Sequence, residues 1–197
     1  MNTSEKIIQA TLEIASEKGL SNTSLGDIAN KIGIKKPSIY NHFKSKEELV
    51  LKVYEELRAN TLRKNVSIDM DNFIKKNNPR EILIYIVENY MKMNSEQNIQ
   101  KFYKIVESEK YYDNNAALVV IEESELMVNK TKLLLQQLID YRKLLIKNLD
   151  IAAYSFAYTI HEMMTELELR KNCSKDYERY KNKLYKFIDG FTEQYKV

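Results

Sequence analysis

Apolar residues recur along this chain at helical spacing from end to end. The clearest run is Leu25, Ile28, Ala29 and Ile32, at i, i+3, i+4 and i+7, the single apolar face of a short helix. Gly33 follows at once, where a chain leaving a helix often needs positive φ, and Ile34 returns to the apolar side. Pro37 then stands at a first-turn position, where its missing N–H costs nothing. Ile39 and Phe43, four apart, anchor a second short helix inward. That leaves Lys36, Ser38, Tyr40, Asn41 and His42 facing outward. Before this pair, Ile7, Ile8, Leu12, Ile14 and Ala15 give an apolar side to a helix over 5–18, closed by Gly19. Ser24 with Asp27, and Ser45 with Glu48, have the spacing of capping boxes at two helix starts.

The same period predicts the rest of the chain. A long fourth helix runs from Ser45 to about Lys64, on Leu49, Val50, Val53, Tyr54 and Leu57. Residues 65–78 are polar and poorly periodic, and read as a helix end, a loop and a domain boundary. Pro79 restarts structure. Helices are then expected over 80–94, about 98–109, 116–140, about 151–171 (capped by Asn148 or Asp150) and about 175–195 (opened by Ser174). With four glycines, two prolines and no convincing strand, the expected fold is all-α, with about nine helices.

Charge sharpens the picture. The net charge is +3. Residues 1–64 hold eleven Lys/Arg against eight Asp/Glu, while residues 65–197 hold twenty of each. From Ile28 to Lys46 there are five lysines, one histidine and no carboxylate. A short helix with a basic, amide-bearing face, held by a helix-turn-helix, is the shape that enters a DNA major groove. The single cysteine, Cys173, excludes an intramolecular disulfide framework. No apolar run approaches the roughly 20 residues of a membrane span, and acids interrupt the N-terminal apolar pattern, so no membrane association and a cytoplasmic location are expected; the Lys/Asn/Ile-rich composition suits an AT-rich bacterial genome.

The pieces KGL, TSLGDIANKIGI and KKPSIYNHFKSKEELV, in that order, resemble the DNA-binding part of the tetracycline-repressor (TetR) family over the first ~60 residues. The remainder is similar only in its helix pattern. The resemblance implies a helix-turn-helix DNA-binding domain over 1–62, with the motif at about 24–43. It also implies a ligand-binding and dimerisation domain over 63–197. By matching positions, Lys36, Pro37, Ser38 and Asn41 would face base edges, and Tyr40 and His42 would lie against phosphates. Lys46 and the helix-capping Ser24 would hold phosphates on either side of the groove. Residue chemistry is compatible, since Asn pairs with adenine and Lys with guanine in the major groove. Tyr40 could be ordinary packing, although its place between Ile39 and Asn41 puts it on the outer side; Pro37 could be a helix start only, and His42 a surface residue. The implied partners are a near-palindromic double-stranded operator, a second copy of the chain, and an unknown small-molecule effector. The implied activity is that of a ligand-released repressor.

Two apolar stripes on the last helices suit that dimer. One comprises Ala152, Phe156, Ile160, Met163 and Leu167. The other comprises Tyr177, Tyr180, Leu184, Phe187, Ile188, Phe191 and Tyr195. Both could also be core, but Ala153, Ala157, Met164 and Tyr185 lie off the stripes and would supply a second face. Tyr90, Phe102, Tyr103, Met127, Tyr158 and His161 are candidates to line a ligand pocket. His161-Glu162 is half of a zinc motif whose second histidine is replaced by Thr165, so no metal or other cofactor is expected. No serine or cysteine has a recognisable base beside it and no glycine-rich phosphate loop is present, so an enzyme is not expected. A helical structural or adaptor protein without specific DNA binding remains the alternative, although it leaves the acid-free 28–46 surface without a purpose.

Overall fold

The structure is a computed structural model and describes residues 2–63 and 69–197. Ten helices follow one another, and no strand occurs among the described residues. They are α1 (Thr3–Lys18), α2 (Leu25–Ile32), α3 (Lys36–Tyr40), α4 (Lys46–Arg63) and α5 (Met70–Lys76). After these come α6 (Pro79–Asn94), α7 (Gln97–Glu109), α8 (Asn114–Asp140), α9 (Leu149–Asn172) and α10 (Tyr177–Gln194). The all-helical expectation is met. One element is additional: α5 lies in the stretch read as loop, where Met70, Phe73 and Ile74 supply a single apolar contact line. Asp69 accepts the Asn72 N–H at its start, Ile74 is fully buried, and Phe73 packs its ring on Tyr85 at 4.6 Å. So short a helix shows too little periodicity to be told from a polar loop. The expected boundary stretch also includes residues 65–68, which with Lys64 lie outside the described residues.

Two compact units divide the chain, each with its own apolar core. The first combines α1–α4 with α7 and the first turns of α8, up to Glu122. Ile7, Leu12, Ile28, Ile39, Leu49, Phe102 and Ile105 are essentially inaccessible there. The buried face of α7 (Ile99, Phe102, Ile105, Val106) packs on α1 and α4. The unit is therefore larger than the ~60 residues that carry the family motif.

The second unit holds α5, α6, the rest of α8, α9 and α10. Ile82, Leu83, Leu135, Leu138, Phe156, Leu184 and Ile188 form its centre. Asn148 caps α9 by accepting the Ile151 N–H at 3.1 Å. Polar ties at the rim include Arg80 to Asp189 and Tyr185 to Glu88, each at 2.5 Å.

One buried polar group on α4 is not accommodated. Tyr54 on α4 is buried edge-on to Phe102, and its hydroxyl has no hydrogen-bond partner among the described residues. Burial, with the Asp113 and Glu109 carboxylates nearby, pushes its ionisation far above the usual phenol range. An unpaired buried hydroxyl costs on the order of 1–3 kcal/mol. Tyr54→Phe should therefore unfold at the same or a higher urea concentration than the parent. A loss of more than about 1 kcal/mol would show that the hydroxyl has a partner.

Candidate nucleic-acid interface

The helix-turn-helix is built by local chemistry at each joint. At the start of α2, Ser24 Oγ accepts the Asp27 N–H at 3.1 Å, and Asp27 Oδ2 accepts the Ser24 N–H at 2.9 Å. This is a complete capping box. Lys18 closes on the same carboxylate at 2.9 Å. The Lys18 ammonium first, then the Ser24 N–H and hydroxyl, hold the Asp27 carboxyl well below the usual carboxylate range. At the other end Gly33 has φ 71°, in the left-handed region. Its N–H reaches the Asn30 carbonyl at 3.3 Å and the Ile34 N–H reaches the Ala29 carbonyl at 3.0 Å. Both bonds of a Schellman turn are thus made, and Ile34 is returned to the core.

This turn sets the direction of α3, which is only five residues long and begins with Pro37 in its first turn. Its helical bonding stops at Tyr40, earlier than the motif span implied, and a tight turn follows. There the His42 and Phe43 N–H groups both reach the Ile39 carbonyl, at 2.9 and 3.0 Å. Ile39 and Phe43 point inward at 0% and 4% exposure. On the opposite side Lys36, Pro37, Tyr40, Asn41 and His42 are exposed and Ser38 is half-buried. Tyr40 is 50% exposed, so packing does not account for it. Five of the eight residues singled out from the sequence therefore lie open on or just after α3.

The other three sit differently. Ser24 is exposed but already engaged in its capping box. Lys46, at the start of α4, is half-buried, and its ammonium donates to the Leu20 carbonyl at 2.8 Å. The second capping box is made in altered form. Ser45 accepts the Glu48 N–H at 3.2 Å, while the Glu48 carboxylate accepts the Lys44 N–H at 2.6 Å. Of the lysines in the acid-free run, Lys31 is neutralised by Glu13 at 3.0 Å. Lys35, Lys36 and Lys44 are exposed and carry no ion pair among the described residues, so the unpaired positive charge gathers around α3.

The model for bacterial regulatory proteins of the tetR family matches residues 7–53, the segment from α1 into α4 just described. Residues 7–53 therefore carry the DNA-binding segment of this family. Among sequence relatives, the HTH-type regulator YerO of Bacillus subtilis is 32% identical over 135 residues, covering 58% of this chain and 45% of YerO. IcaR of Staphylococcus epidermidis, named a negative regulator of the biofilm operon icaADBC, is 43% identical over 51 residues, 26% of this chain and 28% of IcaR. The chain thus spans less than half the length of these relatives. Solved structures extend the likeness in fold to the whole chain. A transcriptional regulator from Rhodococcus superposes with a TM-score of 0.71 at 13% identity, covering 100% of this chain and 99% of that one. A TetR-family regulator from Agrobacterium tumefaciens gives 0.65 at 18%, covering 98% and 97%.

The six residues proposed from the sequence for a TetR-type ligand pocket fall in both units. Phe102 and Tyr103 belong to the first, with their rings 5.4 Å apart and Phe102 fully buried. Tyr90 and Met127 are half-buried in the second, while Tyr158 and His161 are exposed on α9. Two concavities occur elsewhere. One, of about 140 Å³, lies between α4 and the start of α8, lined by Leu51, Tyr54, Leu118 and Val119. The other, of about 670 Å³, lies at the α9–α10 turn, lined by Arg170, Lys175, Tyr177 and Arg179. No group of His, Cys, Asp and Glu among the described residues is placed to hold a metal.

The stripes on the last two helices largely meet each other. Ala152, Phe156, Ile160, Leu167, Leu184, Ile188 and Phe191 are buried within the chain. The residues expected to form a second face are covered too. Ala153, Ala157 and Met164 are buried, and Tyr185 is half-buried with its hydroxyl on Glu88. The off-stripe alanines let helices of one chain approach, so these positions do not supply a second, dimer-forming face. The outward apolar face of α9 is instead Ile151, Tyr154, Tyr158 and Leu169, each about half or more exposed, with the Tyr154 and Tyr158 rings stacked at 6.1 Å. Its signal was present in the sequence as a second, near-heptad spacing offset from the buried one.

Ser24→Ala would remove the acceptor of the Asp27 N–H. It should lower unfolding free energy by about 1 kcal/mol in urea denaturation; no change would show that the cap contributes nothing to the fold.

Proposed function

We propose that this protein is a transcriptional regulator that binds operator DNA as a homodimer, and specifically a repressor released by a small molecule. The observation that carries the proposal is the acid-free outward face of α3, turned to solvent because Ile39 and Phe43 are anchored inward. Lys36, Pro37, Ser38 and Asn41 serve as base-edge contacts, and Tyr40 and His42 as phosphate contacts. Ser24 and Lys46 complete the backbone grip from the two flanking helix starts. Phosphate contacts fix register and make affinity salt-dependent, while base contacts supply sequence choice. IcaR, named a negative regulator, supports repression as the sign of the effect.

The outward face of α9 is the dimer surface of this reading. A run of exposed aromatic and aliphatic side chains on one helix is what an unassembled interface looks like. Pairing two chains there would set two recognition helices one helical turn of DNA apart, roughly 34–36 Å. An effector entering the C-terminal helices releases DNA only by binding the DNA-incompetent state better. Tenfold release needs about 1.4 kcal/mol of differential affinity. The DNA-binding domain in this reading is 1–62 and the effector and dimerisation domain 63–197.

Fluorescence anisotropy with DNA from immediately upstream of the protein's own coding sequence tests the reading. The wild type should prefer that DNA to a shuffled fragment at moderate salt, and equal binding to both would refute it. Asn41→Ala should weaken binding by about 1–3 kcal/mol and relax base choice at one position. Tyr40→Phe should weaken all sequences alike. Tyr154→Glu with Tyr158→Glu should give a folded monomer by light scattering with much weaker DNA binding, and a dimer of unchanged mass would place the interface elsewhere.

A further inference from the structure

The turn between α1 and α2 is gripped from two sides by residues distant in sequence. The Leu20 N–H donates to Glu109 Oε1 at 3.2 Å, and the Leu20 carbonyl accepts from Lys46 Nζ at 2.8 Å. Glu109 is the last residue of α7, and Lys46 the first of α4. The Leu20 backbone therefore lies between a carboxylate on its N–H and an ammonium on its carbonyl, one on each of the two peptide groups that flank its Cα. Hydrogen bonds to charged groups are the stronger kind.

The turn itself leaves little freedom. Gly19 has φ 83°, a backbone conformation open to glycine. Thr23 is buried, donating its hydroxyl to the Gly19 carbonyl at 2.8 Å and its N–H to the Leu20 carbonyl at 3.1 Å. The next residue, Ser24, caps α2, so the position of the Leu20 backbone decides where α2 begins. Through the Gly33 turn it then decides how α3 is presented.

Glu109 is a carboxylate only 9% exposed, and burying a charge is costly unless it is specifically bonded. An apolar residue would serve the packing of α7 better. We propose that Glu109 is a positioning residue for DNA binding: with Lys46 it fixes the Leu20 backbone on both sides of its Cα, and it is the point through which α7 acts on the DNA-reading helices. The proposal rests on the regulator reading for its functional consequence, and on the two hydrogen bonds for its mechanism. It also gives Lys46 a role that precedes any phosphate contact.

Full-length Glu109→Ala and Glu109→Gln proteins test it by two readouts, amide hydrogen exchange without DNA and affinity for the upstream DNA. In Glu109→Ala, residues 19–27 should exchange at least about tenfold faster while 5–15 in α1 keep their protection, and affinity should fall about tenfold or more. Glu109→Gln keeps an oxygen toward the Leu20 N–H and should restore protection, with affinity within about threefold of wild type. Lys46→Met, which has no donor and releases the Leu20 carbonyl, should reproduce the local exchange signature should the alanine variant not fold. Unchanged exchange at 19–27, or acceleration spread evenly over α1 and α4, would overturn the proposal. Failure of the wild type to prefer the upstream DNA would instead refute the regulator reading and leave the exchange result to decide the clamp.

Discussion

A helix of five residues cannot hold itself together in water, because nucleation costs more than so few hydrogen bonds return. Everything the first unit does depends on the burial of Ile39 and Phe43, which fastens α3 to a core it could not otherwise join. Burying two such side chains contributes roughly 1.5–3 kcal/mol each. Because they point inward, the intervening and flanking residues must point outward. Exposure of Lys36, Tyr40 and Asn41 is thus a consequence of packing, not a separate feature.

Around that anchor the unit is a series of joints, each closed by a different chemistry. The Ser24–Asp27 box and the Lys18 ammonium set the start of α2. Left-handed Gly33 sets its end and Pro37 starts α3. The Leu20 backbone, its N–H on Glu109 and its carbonyl on Lys46, sets the turn before them all. α7 is bound to this series by apolar packing on α1 and α4 as well as by its terminal carboxylate. A change in α7 therefore has a short physical route to the outward face of α3, within one compact unit.

The parts legible in the sequence were those fixed by local rules. Gly33, Pro37 and the Ser24–Asp27 spacing announce a helix-turn-helix, and its period identifies Ile39 and Phe43 as anchors. Long-range partnerships left no such mark. Nothing in the spacing of Glu109 tells that it meets a peptide 89 residues earlier, or that the Lys46 ammonium turns back to Leu20. The helix Met70–Lys76 was hidden because one contact line is too little periodicity to distinguish it from a loop. On α9 both faces are apolar, so composition alone could not say which meets α10. The buried choice fell to alanines and Phe156, the outward one to Tyr154 and Tyr158.

In the proposed regulator, two copies of the α3 face read DNA together at fixed spacing. Selection of binding sites from a random DNA pool by the full-length protein tests it most directly. Enrichment of a near-palindrome whose half-site centres lie about one helical turn apart, roughly 10–10.5 base pairs, is the expected result. A pool that gains no sequence preference, or that converges on a single half-site with no symmetric mate, would contradict it.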